Sequence, residues 1–271
     1  MSGPRYAELQ VTSHFSFLRG ASSCEELFAT AATMGVEALA VVDRNSLAGV
    51  VRAHEAAKAT GLRLVVGCRL DLADGMSVLV YPTDRSAYAR LCRLLSLGKG
   101  RAGKAKCHLE WSDVVAYGEG LIAVLVPDVA DETCAMQLRR LRESFGNRAY
   151  IALTLRRRPN DQLRLWELSD MATAVRVPTV VTNDALFHEP GRQVLQDVVT
   201  AIRHNVTIDE LGHRRERFAD RYLKPPEEMH RLFGRYPEAL ARTIEIMERC
   251  PFKLDELAYQ YPEEKLYPDL T

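Results

Sequence analysis

EALAVVDRNSLAGVVRAHEAAKATGLRLVVGCRL, residues 37–70, holds one complete strand–helix–strand unit. The run 37–43 is apolar and short, as a buried strand is, and it stops at Asp43. A polar turn follows. An alanine-rich stretch over 48–61 then has helical composition and ends on Gly61, the residue type that closes a helix in left-handed geometry. The run 62–72 is rich in Leu and Val and starts a new strand. Two buried strands joined by a helix of this length pair in parallel through a crossover.

The same alternation spreads outward. Residues 7–11 are expected as a first strand and 24–35 as a helix ending at Gly35. The ADG turn at 73–75 makes a hairpin between 62–72 and a strand at 76–82. Further strands are expected at 121–127, 149–155 and 178–184. Helices are expected at 84–97, 131–145, 160–176, near 190–204, 225–233 and 237–249. On the 131–145 helix, Met136, Leu138 and Leu141 are expected in the core. This pattern predicts an α/β fold. Seven strand candidates with one hairpin favour a distorted barrel over an open doubly wound sheet. Function would then sit at the carboxyl ends of the strands, at 43–47, 68–71 and 182–188. We expect a barrel domain over 1–205 and a helical extension and connector over 206–271.

Bulk composition excludes several classes. The 271 residues carry 36 basic and 36 acidic side chains, so no global charge marks a nucleic-acid or membrane binder. The six cysteines include no CxxC pair, which argues against a zinc ribbon or a thioredoxin-like motif. No apolar run approaches the ~18 residues a spanning helix needs, and the start has no signal-like apolar region. A cytoplasmic protein without a membrane is the expectation.

The segment AELQVTSHFSFLRG, residues 7–20, has the layout of a metal-binding strand and turn, but Glu8, Gln10 and Thr12 stand where histidines would serve. Together with ALAVVDRNSLAGVVRAH (38–54), LRLVVGCRL (62–70) and TNDALFHEPGRQVLQDVVTAIR (182–203), it resembles the amino-terminal PHP domain of bacterial C-family polymerases, the alpha subunit of DNA polymerase III. The wording SFLRGAS with SLAGVVRAH is closest to the error-prone, DnaE-like branch, also called ImuC. The stretch 220–250 resembles the connection toward the polymerase palm. The resemblance implies a PHP-type distorted (βα)7 barrel. It implies a parent enzyme of damage-induced translesion synthesis, with its Mg2+ site in a palm beyond this chain. Implied partners are the remaining polymerase domains in cis, DNA through the parent polymerase, mutagenesis partners and the sliding clamp.

The resemblance also implies a ligand set, and this sequence departs from it. The first-strand His-x-His is Glu8 and Gln10. The turn aspartate is Arg19, the histidine after Asp43 is Arg44, and the glutamate of Gly-x-Glu is Arg69. Of the later Asp-x-His only Asp184 remains, with Leu186 in the histidine position; a further histidine aligns near Ser77. Guanidiniums stay protonated and offer no lone pair. Two unit charges ~4 Å apart interact by roughly 4 kcal/mol at an effective dielectric near 20, and a dication doubles that. No metal is expected here, and no cofactor in this fragment. The three arginines are expected to pair with Glu8, Asp43, Asp71 or Asp184.

Other residues have plain alternatives. His14, His54 and His188 lack partners at ligand spacing and suit surface or core-edge positions. Asp43 is expected to cap a turn rather than to catalyse. The basic stretch 98–106, with Lys99, Arg101, Lys104 and Lys106, suits either a solvated loop or sequence-blind contact with DNA phosphates; the same holds for Arg156–Arg158 and for 213–217. The leading expectation is an inactive scaffold module. The alternative is an active metal-dependent phosphoesterase or 3′–5′ exonuclease. An unrelated barrel enzyme would need an acid–base pair at strand ends that the sequence does not offer.

Overall fold

The computed structural model describes residues 3–257; the connector expected in the last residues lies outside them from 258 onward. Strand and helix alternate as β1 (Ala7–Val11), α1 (Cys24–Thr33), β2 (Ala38–Val41), α2 (Val50–Thr60), β3 (Arg63–Val66), β4 (Cys68–Asp71) and β5 (Ser77–Pro82). Then come α3 (Arg85–Arg101), α4 (Trp111–Tyr117), β6 (Leu121–Leu125), α5 (Glu132–Phe145), β7 (Ala149–Leu153), α6 (Asp161–Val175) and β8 (Thr179–Val181). Three more helices follow: α7 (Gln193–His204), α8 (Pro226–Leu232) and α9 (Pro237–Arg249).

The strands form two sheets, β1-β2-β3 and β4-β5-β6-β7-β8. β1 to β3 are parallel, as are β6 to β8, while β5 runs antiparallel to both neighbours. Single backbone bridges join the two sheets, Val11 at the end of β1 with Ala185 after β8, and Arg44 after β2 with Arg69 in β4. The run 62–72, expected as continuous, breaks at Gly67, where the chain leaves one sheet for the other. A Cβ at Gly67 would lie 2.7 Å from the Tyr81 ring and 2.9 Å from Val42. The glycine is required by that close approach rather than by its dihedral angles.

Every residue of β1, β2, β6 and β7 is buried. Both faces are covered, so β2, β6 and β7 are continuous apolar runs, while β1 buries Glu8 and Gln10 between its apolar residues. Alternate residues serve two layers. Leu39, Val41, Ala123 and Ile151 pack beneath the helices. Ala38, Ala40, Val124 and Ala152 form an inner cluster drawn from both sheets, and Ile244, Ile246 and Met247 of α9 join it. Helix ends follow the expected chemistry. Ser23 and Glu26 form a capping box at α1, and Gly35 and Gly61 take positive φ just past α1 and α2. All six cysteines are free thiols.

Three local expectations change. The basic stretch 98–106 is not wholly a loop, because α3 continues through Arg101. α4 was not foreseen; at seven residues it is too short for a clear periodic signal. Met136 is 50% exposed while Leu138 and Leu141 are fully buried. At 100° per residue, position 136 lies on the far side of α5 from 138 and 141.

Candidate functional site

The carboxyl ends of the parallel strands bring together the positions that the sequence singled out at 44, 69 and 184. β2 runs into Asp43 and Arg44, β4 carries Arg69 and Asp71, and the chain after β8 supplies Asn183 and Asp184. What converges there is a network of ion pairs.

Asp71 is the first hub. Arg44 pairs with one of its oxygens. Arg69 donates from Nε to the other at 2.9 Å, and the Ser77 hydroxyl donates to that same oxygen at 2.6 Å. Arg69 also donates to Ser77 at 3.0 Å. Burial pushes the Asp71 carboxyl up, but the two guanidiniums and the serine outweigh it and hold it at about 2.

Asp184 is the second hub, 1% exposed and with φ in the left-handed region, which aspartate tolerates. Arg156 donates to its Oδ2 at 2.7 Å and Arg221 approaches the same oxygen at 2.5 Å. Arg221 also donates to the Asp184 carbonyl at 3.1 Å. Burial disfavours the carboxylate; the positive charges of Arg221, Arg156, Arg69 and Arg44 overcome that and drive its pKa well below the usual aspartate range. Arg156 sits between Asp184 and Asp128, and Arg221 between Asp184 and Glu216. Sequence reading had placed Arg156 in a stretch open to DNA contact and had not singled out Arg221. No local pattern joins residues 156, 184 and 221; only the fold does.

Glu8 lies apart from both hubs. It is 1% exposed. It accepts from the Tyr6 hydroxyl at 2.6 Å and from the Gln10 backbone N–H at 2.8 Å. The Asn183 backbone N–H reaches it at 3.2 Å. Burial is the largest influence and raises its pKa to about 7, against these hydrogen bonds and the Lys224 charge. None of Arg19, Arg44 and Arg69 pairs with Glu8 among the described residues. Lys224, missed by sequence reading, is buried, donates to the Asn183 side chain at 2.9 Å, and lies over the Tyr222 ring. The Gln10 side-chain amide is fully buried with neither polar atom partnered. Leu186 packs with Ala21 and Phe187.

Asp43 binds two turns together rather than capping its own. It accepts from the Ser13 N–H at 3.0 Å, the Ser13 hydroxyl at 2.8 Å and the Ser16 hydroxyl at 2.7 Å. It too pairs with none of the three arginines. The histidines stay separate. His14 stacks on Phe15, His54 faces Asp255, and His188 hydrogen-bonds Ser22. Arg101 is bound to Asp113 at 2.6 Å, and Arg157 and Arg158 to Asp220 and Asp128 at 2.7 Å each. Lys99, Lys104 and Lys106 instead line a cleft with Arg19 and Arg44.

The comparisons fit this geometry. The model of the PHP domain matches residues 8–156, more than half of the chain. The chain belongs to the PHP domain family. Relatives extend the likeness to the full length. "Error-prone DNA polymerase 1" of Agrobacterium fabrum (strain C58 / ATCC 33970) is 71% identical over 100% of this chain. "Error-prone DNA polymerase" of Caulobacter vibrioides (strain ATCC 19089 / CIP 103742 / CB 15) is 47% identical, also over 100% of it. The PHP chain covers 25% of each of these polymerases. A solved amidohydrolase from Chromobacterium violaceum, with bound SO4 and no metal, shares the fold at TM-score 0.52 and 15% identity, over 66% of this chain and 87% of its own.

A PHP metal cluster needs imidazole and carboxylate lone pairs that converge. Among the described residues no three His, Cys, Asp or Glu side chains come together as such a group. Asp71 and Asp184 are each already ion-paired with two guanidiniums, and Glu8 is turned onto its own strand. This donor set does not fit a divalent cluster.

Proposed function

We propose that this chain is the amino-terminal PHP module of an error-prone DNA polymerase, acting as a scaffold in which salt bridges replace the metal site. One observation carries the reading: two carboxylates at the carboxyl-end face are each clamped by a pair of arginines, Asp71 by Arg44 and Arg69, Asp184 by Arg156 and Arg221. The two facing sheets, bridged at two points, support a distorted barrel of the PHP type. α9 shares the inner apolar cluster, so the barrel and its helical extension would move as one piece. In this proposal nucleotidyl transfer, and the Mg2+ it needs, belong to domains beyond this chain, which covers 25% of the length of its relatives. Damage-induced translesion synthesis in the cytoplasm, with a sliding clamp and mutagenesis partners, belongs to the whole polymerase in this proposal. Among the described residues no helix is long and apolar enough to cross a membrane.

The test is metal analysis of the purified chain with an exonuclease assay in manganese. The expected result is metal far below one ion per chain and no manganese-dependent degradation. Stoichiometric metal, with nuclease activity that Asp184→Ala abolishes, would establish the enzyme instead.

A scaffold needs a docking face, and α7 supplies one. It buries its polar side, Gln196, Asp197 and Thr200, and turns apolar side chains outward. Val194 is 68% exposed and Ile202 59%, two turns apart on one side. The occupant we assign is another domain of the same polymerase, from the three-quarters of the relatives' length that lies outside this chain. Val194→Glu with Ile202→Glu should leave the melting of this chain within about 0.5 kcal/mol of wild type, as exposed substitutions do. The same pair should lower the melting temperature of the full polymerase by several degrees. Equal small effects in both would remove α7 from the interface.

A further inference from the structure

Two adjoining cavities at the carboxyl-end face share Arg19 and Arg44 as walls. The larger, about 690 Å3, is also bounded by Lys99, Lys104 and Lys106, with Asp71 as its one carboxylate. Asp71 is already neutralised by Arg44 and Arg69. The smaller, about 90 Å3, adds Arg203, Arg214 and Arg221 against Asp197 and Glu216. Those carboxylates are engaged as well, Asp197 by Arg215 at 2.8 Å and Glu216 by Arg221 at 3.2 Å. Positive charge is therefore left over. Among the described residues neither Arg19 nor Arg203 faces a carboxylate within ion-pair distance, and the same holds for the three lysines.

A purely structural network has no need of this surplus. Arg19, Arg44 and Arg203 all lose basicity through burial and then through one another's charge and that of neighbouring arginines. Cations held close enough to depress one another are stabilised when an anion enters between them. At the lip of the larger cavity stands Phe17, 80% exposed. An apolar ring in water beside a row of cations is the combination that single-stranded nucleic acids bind: phosphates on the charges, a base on the aromatic face.

We propose that this cleft binds a single-stranded nucleic acid, with backbone phosphates on Arg19, Arg44, Lys104 and Lys106 and one base stacked on Phe17. Arg101, held by Asp113, is outside the contact. The inference goes beyond the scaffold proposal and does not depend on it, since a metal-free module can bind a strand or fail to.

The experiment is fluorescence anisotropy of a short dye-labelled oligothymidylate with the purified chain across a salt series. Expected is binding that weakens as salt rises, with a log–log slope of about −0.7 per phosphate engaged. Arg19→Glu and Lys104→Glu should each weaken it at least tenfold and flatten the slope. Phe17→Ala should weaken it about tenfold and leave the slope unchanged, the mark of a stacking contact. Arg85→Glu, about 20 Å away at the other end of α3, should change nothing. Lys104 is on an exposed loop, so its reversal tests the cleft even if Arg19→Glu perturbs folding. Equal losses from Arg85→Glu and Lys104→Glu would overturn the proposal. So would a site that inorganic pyrophosphate occupies in preference to the strand while Phe17→Ala has no effect; that result would mark a free-anion pocket.

Discussion

Asp184→Ala is expected to destabilise the chain by about 3–5 kcal/mol, the range for removing one partner of a buried ion pair. Asp184 is almost fully buried and holds both Arg156 and Arg221. Without it two guanidiniums face each other and the nearby Arg44 and Arg69 with no shared counter-charge. For a chain of this size that is a fall in melting temperature of roughly 10 °C. Asp184→Asn keeps the shape and loses the charge, so it should fall nearly as far, which separates electrostatics from packing. Adding Arg156→Met and Arg221→Met to Asp184→Ala should recover much of the loss, because apolar groups of similar volume carry no desolvation penalty. The pH dependence follows from the same pairing. The Asp184 pKa is depressed in the folded state, so its stabilisation is present above the usual aspartate pKa, near 3.8. It is lost as pH falls below that value toward the folded pKa. Wild type should therefore lose stability in acid more steeply than Asp184→Asn. A loss under 1 kcal/mol for Asp184→Asn, with parallel acid profiles, would show that the ion pairs contribute nothing net and would weaken the argument that they replaced a metal site.

Much of the fold was legible because its signals are local. The stretches 38–42 and 121–127 are apolar throughout since both faces of those strands are covered, and Gly35 and Gly61 stop their helices by backbone geometry alone. The break at Gly67 was not legible. LRLVVGCRLDL has strand character throughout, and only the Tyr81 ring and Val42, brought close by the fold, require a glycine at that point. The candidate site divides the same way. Arg44 and Arg69 were visible as cations in ligand positions, and both pair with Asp71, one of the carboxylates named for them. The partners of Asp184 were not visible. The arginine in the turn, Arg19, was expected to pair, yet it lines two cavities in which most of the other charged residues are cations. Arg156 and Arg221 come from segments far away in sequence, so their pairing depends on tertiary structure. The same reason hid Lys224, which a scan of composition would place on the surface.

Glu8→Gln is expected to raise stability at neutral pH and to change it little near pH 4. Glu8 and Asp184 occupy related positions, yet their environments push in opposite directions. Asp184 sits among four arginines, whereas Glu8 is buried beside a tyrosine hydroxyl and two backbone N–H groups, with only the Lys224 charge to favour ionisation. Its folded pKa is raised from 4.5 to about 7. The sign is therefore the reverse of the usual carboxylate case. Below 4.5 the group is protonated in both folded and unfolded chains and makes no difference to stability. Between 4.5 and 7 the folded chain holds a proton that the unfolded chain releases, so stability falls as pH rises. Above 7 the full penalty is present, roughly 3 kcal/mol at 1.36 kcal/mol per pH unit. Glutamine is neutral throughout. Its oxygen can accept the N–H groups of Gln10 and Asn183, and its amide can donate to the Tyr6 hydroxyl, which then acts as acceptor. Contributions from other titrating groups largely cancel when variant and wild type are subtracted at each pH. The measurement is urea unfolding of both proteins at pH 4.5, 6 and 8, and the difference should grow by about 2–3 kcal/mol across that range. A difference that stays flat would place Glu8 near its ordinary pKa. The carboxylate would then be an available lone-pair donor at neutral pH, and only the arginine clamps on Asp71 and Asp184 would oppose a metal.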